Sequence, residues 1–151
     1  MLMIQLSAKR LVFPALAAAL VLLFSACASA IKISENLSPA ELIQFAQEAS
    51  DKNRYNTALQ YYKALLERNR NNIDLVITAE YHIAFISYKQ KKYDQARDEL
   101  NAVLDYYNTP DEELLPQQYK RLAQIVLESI EEKEKAAVPF IQKVFRKDNP
   151  S

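Results

Sequence analysis

Glycine is absent from this sequence, and so is tryptophan; cysteine and histidine occur once each. Without glycine there are few low-cost ways to place the backbone at positive φ. Asn-Gly hairpin turns cannot form, which disfavours a β-rich fold. Phosphate-cradling loops of the P-loop or dinucleotide type are excluded, because both need glycine where the backbone meets the phosphate. A lone cysteine cannot make a disulfide within the chain, so export requires no oxidative folding. His82 is the one histidine, with no second His or Cys nearby to share a metal. Nor is there material for a Cys/His or Ser/His/Asp site, and a single helical histidine reads as a packing residue. The residues present therefore predict a non-enzyme with no cofactor and no metal. An excess of positive charge is also missing: 19 basic residues face 19 acidic ones. Nucleic acid is disfavoured as a partner on that ground.

What is present divides into a leader and a helical body. Lys9 and Arg10 precede the apolar stretch Leu11 to Phe24, and small residues follow from Ser25 to Ala30. That order is the order of a secretory signal, to be set aside from the fold. Two cleavage sites are legible. Phe24-Ser25-Ala26-Cys27 resembles a bacterial lipobox, in which Cys27 becomes the lipidated first residue after a 1–26 signal peptide. Ala28-Ser29-Ala30 fits the small-x-small pattern of ordinary signal peptidase. A third reading is an uncleaved anchor, since Leu11 to Ile31 is uncharged and long enough to span a bilayer. Removing Lys9 and Arg10 from the 19 basic residues leaves 17 against 19 acidic, a net charge of −2.

The body, after a tether over 27–38, is rich in good helix formers and predicts an all-α fold. Ser38-Pro39-Ala40-Glu41 is a helix start with a capping serine, a proline for the first turn and a capping-box glutamate. The stripe Leu42, Phe45, Ala46, Ala49 has helical spacing. A polar turn at 51–54 leads to a second stripe, Ala58, Leu59, Tyr62, Leu65 and Leu66. The pattern recurs over 79–104: Ile83, Ala84, Ser87 and Tyr88, a Gln90-Lys91-Lys92 turn, then Ala96, Leu100, Val103 and Leu104. Superposing Ala58 on Ala96 aligns Ala46 with Ala84 and Tyr62 with Leu100 at one constant period, with a loop at Arg68–Ile73.

Helix-turn-helix units at this spacing resemble the tetratricopeptide repeat, a unit of about 34 residues. The period here is slightly longer, and the loop at Arg68–Ile73 takes up the difference. Small residues stand at the close-approach positions, Ala46 and Ala84 in the first helix and Ala58 and Ala96 in the second. The repeat's closing proline is replaced by Arg70 and Asn108. The resemblance covers 39–108 and implies antiparallel helix pairs stacked as a short right-handed solenoid of about two and a half repeats.

Thr109-Pro110-Asp111-Glu112 repeats the capping-box signature, and a long helix follows Pro116 with the stripe Tyr119, Leu122, Ala123, Val126 and Ile130. Val138-Pro139 is expected to break it. Phe140, Ile141, Val144 and Phe145 then read as a separate closing helix over the open face of 116–135, because solenoid ends need a cap. Lys143, Arg146 and Lys147 beside them allow the other reading, a basic segment on a membrane surface. The domain is expected over 39–147, with a frayed tail at 148–151. Self-association is another route to the burial that so few repeats lack.

In tetratricopeptide arrays the first helix of each repeat lines the concave face. Carried over, that places Ile43 and Gln47, then Thr78, Tyr81, Phe85 and Tyr88, then Gln117, Lys120, Arg121 and Gln124 along a groove. Tyr81, Phe85 and Tyr88 share one helix face, either packed between helices or as an aromatic floor for a peptide. Some members of the family grip a terminal carboxylate with Lys and Asn in the first repeat; Ile43 and Gln47 stand there instead. The resemblance implies a scaffold or adaptor for other envelope proteins or peptides, held to the membrane by a lipid on Cys27. Ala28 after the cysteine favours the outer membrane over the inner. The rival reading is a binding subunit that holds a small apolar ligand between helices near Tyr81 and Tyr88.

Overall fold

The computed structural model describes residues 31–147, with side chains described through Ala137. The expected signal peptide at 1–26, Cys27 and the expected frayed tail at 148–151 lie outside the described residues. Among the described residues five α-helices follow in order: α1 (Pro39–Asp51), α2 (Tyr55–Arg68), α3 (Ile73–Lys89), α4 (Tyr93–Asp105) and α5 (Gln117–Lys147). A 3-10 turn, Glu112–Leu114, lies between α4 and α5. No strand occurs among the described residues, and none of their helices is long and apolar enough to cross a membrane. Helices α1 and α2 pack as one hairpin and α3 and α4 as a second; α5 lies against α3 and α4. The fold is a short solenoid of the tetratricopeptide type.

The start of α1 is set by its own sequence. The Ser38 backbone N–H donates to Glu41 Oε2 at 2.8 Å, and the Glu41 N–H donates to Ser38 Oγ at 3.3 Å, so the capping box closes in both directions. Hydrogen bonds from Ser38 hold the Glu41 carboxyl below its usual range. Each hairpin then turns in the same way. In the first, Arg54 N–H donates to Ala49 O at 2.8 Å and Asn53 N–H to Ser50 O at 2.9 Å. At the equivalent place in the second, Lys92 N–H donates to Ser87 O at 3.0 Å and Lys91 N–H to Tyr88 O at 2.9 Å. This pair of bonds is the Schellman helix end, whose middle residue must be left-handed. Glycine usually fills that place. Here Asn53 (φ 55°) and Lys91 (φ 62°) do so.

Two apolar clusters form the core. The first joins Leu42, Ala46 and Ala49 of α1, Ala58, Tyr62 and Leu65 of α2, and Ala79 and Ile86 of α3. The second joins Ile77, Tyr81 and Ala84 of α3, Ala96, Leu100 and Val103 of α4, Tyr107, and Ala123, Val126 and Ile130 of α5. Ala46, Ala58, Ala84, Ala96 and Ala123 are all fully buried, so the small residues sit at the close helix contacts as the register requires. Residues 31–37 are bound along the first hairpin: Ile33 and Leu37 pack on its core, and Arg68 Nη1 donates to Ser34 O at 3.1 Å.

Three sequence expectations are corrected. The helix does not break at Val138-Pro139: α5 continues through it to Lys147. Strong helix formers on both sides, Ala136 and Ala137 before and Gln142 and Lys143 after, outweigh one missing N–H. A continuous helix cannot fold back over its own face, so the solenoid is closed by α5 itself, through Ala123, Val126 and Ile130, and not by a separate segment over 116–135. The side chains of Phe140, Ile141, Val144 and Phe145 lie outside the described residues. Leu122, placed in the α5 stripe, is 39% exposed; it is adjacent to Ala123 and so points about a quarter-turn off the contact line. Thr109 forms no capping box: its hydroxyl faces Tyr106 O at 3.5 Å, and Glu112 opens only a 3-10 turn.

Candidate aromatic binding face

The first helices of the repeats, α1, α3 and α5, lie side by side, with α3 touching both others. Rings line the C-terminal half of α3. Tyr81 stands 6.0 Å from Phe85, and Phe85 stands 5.8 Å from Tyr88, both pairs near parallel. The spacing i, i+4, i+7 puts all three on one face. Tyr88 continues the row to Tyr93 at 6.0 Å, and Tyr81 meets Tyr119 of α5 at 5.1 Å. Offset and edge contacts at these distances are the favourable ring geometries.

The row is graded in depth. Tyr81 is 5% exposed, whereas Phe85 and Tyr88 are half-buried. Tyr81 therefore supports the face from below, and Phe85 and Tyr88 present it. Burial pushes the Tyr81 hydroxyl up to about 12, so it stays protonated. Its neighbour His82 is stacked on Tyr62 at 5.0 Å and meets Tyr119 edge-on at 5.9 Å. Burial pulls the imidazole down to about 4, which keeps it neutral at physiological pH. His82 thus serves as a flat packing element between α2, α3 and α5.

The other residues expected along the groove separate. Thr78 is buried, and its hydroxyl donates to Asp74 O at 2.7 Å. Lys120 pairs with Glu112 and lies 5.8 Å from the Tyr107 ring, so it secures the α4–α5 connection. Gln117 is likewise engaged, its amide donating to Leu115 O at 3.1 Å. Ile43 packs on the first cluster, outside the ring row; Gln47, Arg121 and Gln124 are exposed. The structure brings Tyr81, Phe85 and Tyr88 together and adds three residues the helical stripe did not single out: Tyr93, Lys89 and Lys133. Lys89 Nζ lies 6.0 Å from the Phe85 ring centre and 5.8 Å from that of Tyr55, and Lys133 Nζ lies 5.9 Å from that of Tyr88. Neither lysine has an acidic residue three or four positions away on its helix, but neither does Lys120, which pairs with Glu112, so the spacing does not single them out.

Tyr81, where a small apolar ligand was expected, is packed against His82, Phe85 and Tyr119. Among the described residues, clefts are found elsewhere. One, of about 340 Å³, is lined by Leu66, Glu67, Arg70, Val76 and Glu80. There burial raises the Glu80 carboxyl above its usual range, against the opposing effect of a hydrogen bond from Tyr106. Another, of about 210 Å³, lies by the first hairpin turn and includes Arg54, Tyr55 and Gln90. Among the described residues no group of three or more His, Cys, Asp or Glu is placed to hold a metal.

The described residues thus form stacked hairpins with a half-exposed aromatic face. Residues 49–114 match the tetratricopeptide repeat family, whose repeats are protein-protein interaction modules. The chain is also 35% identical over 108 residues to an uncharacterized protein of Treponema pallidum (strain Nichols). That alignment covers 70% of this chain and 43% of the relative, so the chain spans less than half the relative's length. No solved structure matches the chain.

Proposed function

We propose that this domain is a non-catalytic adaptor that holds a segment of another protein on the face formed by Phe85 and Tyr88. The observation that carries this reading is the grading of the ring row. Tyr81 is buried and fixed by Tyr119, while Phe85 and Tyr88 stand beside it half-open to solvent. Rings held in place from behind lose little conformational freedom when a partner covers them, which makes them good anchors. The helical-repeat match over 49–114 supports a protein as the partner.

We place the adaptor at a bacterial cell envelope, lipid-anchored through Cys27 on the periplasmic side, with the outer membrane as the favoured site. The support is the leader: Lys9-Arg10, the apolar run to Phe24 and the lone cysteine after Ala26. Both halves are tested in cells. A photo-crosslinking residue at Tyr88 is expected to capture a partner, and one at exposed Lys63 on α2 to capture none. Equal labelling from the two positions would remove the face from consideration. Mass spectrometry of the membrane fraction is expected to find an acylated Cys27 N-terminus; a mature N-terminus at Ile31 would end the anchor reading.

A further inference from the structure

Two lysines over the aromatic face say what chemistry its partner brings. On a helix, lysines find acids three or four residues away, as Lys135 finds Glu131 at 3.3 Å. Lys133 has Ser129, Ile130, Ala136 and Ala137 at those positions, and Lys89 has Phe85, Ile86, Lys92 and Tyr93. Other cations nearby are satisfied across the fold: Arg97 bonds both oxygens of Glu134 at 2.6 Å, and Lys120 pairs with Glu112. Lys89 and Lys133 are exposed and have no carboxylate partner among the described residues. Each lies instead over a ring of the face, Lys89 over Phe85 and Lys133 over Tyr88. Such contacts at exposed sites are weak and leave the ammonium protons to water. The positive charge extends beyond them, because Lys91 and Lys92 follow Lys89 in the hairpin turn and Lys52 and Arg54 occupy the matching turn of the first hairpin.

We infer that the Phe85–Tyr88 face receives an acidic peptide segment, one in which a carboxylate stands beside an aromatic or aliphatic side chain. This rests on the reading of that face as the partner-binding surface. The carboxylate would meet the Lys89 or the Lys133 ammonium, where water is exchanged for charge-assisted hydrogen bonds. The adjacent apolar side chain would cover the two rings. A neutral segment leaves both ammoniums uncompensated, and a basic one is repelled by them. The positions differ from those of the first-repeat carboxylate grip, which are Ile43 and Gln47 here. An anionic lipid headgroup shares the charge, and vesicle binding tells the two apart.

The test uses the full chain as cells produce it and a fluorescein-labelled peptide of alternating Glu and Phe, read by fluorescence anisotropy. Its counterpart replaces every Glu by Gln. The acidic peptide is expected to bind at least about tenfold more tightly than the Gln peptide, with a strong decrease as salt rises. The pair K89E/K133E is expected to abolish that preference, and K89R/K133R to retain it, with helical circular dichroism unchanged in both. Equal binding of the two peptides, or an unaltered preference in K89E/K133E, overturns the inference while leaving the face as a binding surface. If neither peptide binds, the inference falls; if Tyr88 then also captures no partner in cells, the proposed function falls with it. Loss of binding to phosphatidylglycerol vesicles in K89E/K133E, with no peptide bound by the unaltered chain, assigns the lysines to a membrane surface and overturns the inference as well.

Discussion

The two hairpins share one register and differ in what surrounds them. Ala46 and Ala84, Ala58 and Ala96, and Leu65 and Val103 are matched pairs one period apart, and all six are fully buried. At Tyr62 and Leu100 the pair is equally buried but chemically different. Tyr62 has the His82 ring to stack on at 5.0 Å, and the aliphatic Leu100 stands in its place in the second hairpin. At Leu42 and Glu80 the pair parts altogether: Leu42 is buried in the first cluster, while Glu80 borders a cleft. The equivalent positions show that helix–helix contacts inside a hairpin are set by the repeat, whereas contacts between hairpins are set by the neighbour.

The largest expected effect tests the joint between the hairpins. His82 titrates near 4 in the fold and near 6.5 when unfolded. The unfolded chain therefore takes up the proton first as pH falls. The stabilisation from neutral His82 is complete above about pH 6.5 and is lost between about 6.5 and 4, to a total of roughly 3 kcal/mol. His82→Phe keeps a ring against Tyr62 and has no proton to gain. Urea titrations at pH 7 and pH 4.5 are expected to show the variant losing less stability than the parent; equal losses would put the pH dependence elsewhere.

An intermediate effect tests whether the hairpins are equivalent inside. Ala58→Leu and Ala96→Leu each insert three carbons at a contact with no room, and each is expected to cost about 1–3 kcal/mol. Thermal denaturation of the two variants measures this. A large drop from one and none from the other would show that the helices of the two hairpins do not approach equally. The smallest effect concerns the turns. Lys91 is left-handed at a cost of about 1 kcal/mol, and Asn53 tolerates that conformation better. Lys91→Gly is expected to raise the midpoint in urea slightly, and Asn53→Gly to leave it nearly unchanged. A larger gain at Asn53 would reverse the comparison.

The matched pairs are readable in the sequence because small residues at fixed spacing have a single use on paired helices. The capping box at Ser38 is readable for a similar reason: its bonds are local. The same four-residue signature at Thr109 fails because only a 3-10 turn can follow before Pro116. Pro139 misleads because its local cost is outweighed by the helix formers around it. In the candidate face, helical spacing finds Tyr81, Phe85 and Tyr88 but cannot rank them by depth. That ranking comes from Tyr119, which is far along the chain from Tyr81 and on another helix. Register alone places Lys120 along the groove; its pairing with Glu112 depends on the path of the connecting turn, which periodicity does not contain.

Helix α3 contributes Ile77, Tyr81 and Ala84 to one core cluster and Ala79 and Ile86 to the other. No hairpin can open without stripping an apolar side of this helix. The chain should thus behave as one cooperative foldon, with amide protons of α2, α3 and α4 exchanging through the same global event. Nearly all its contacts join neighbouring helices, a topology of low contact order that favours rapid folding. A domain made this way has no half-folded form in which one repeat stays intact while the other is undone.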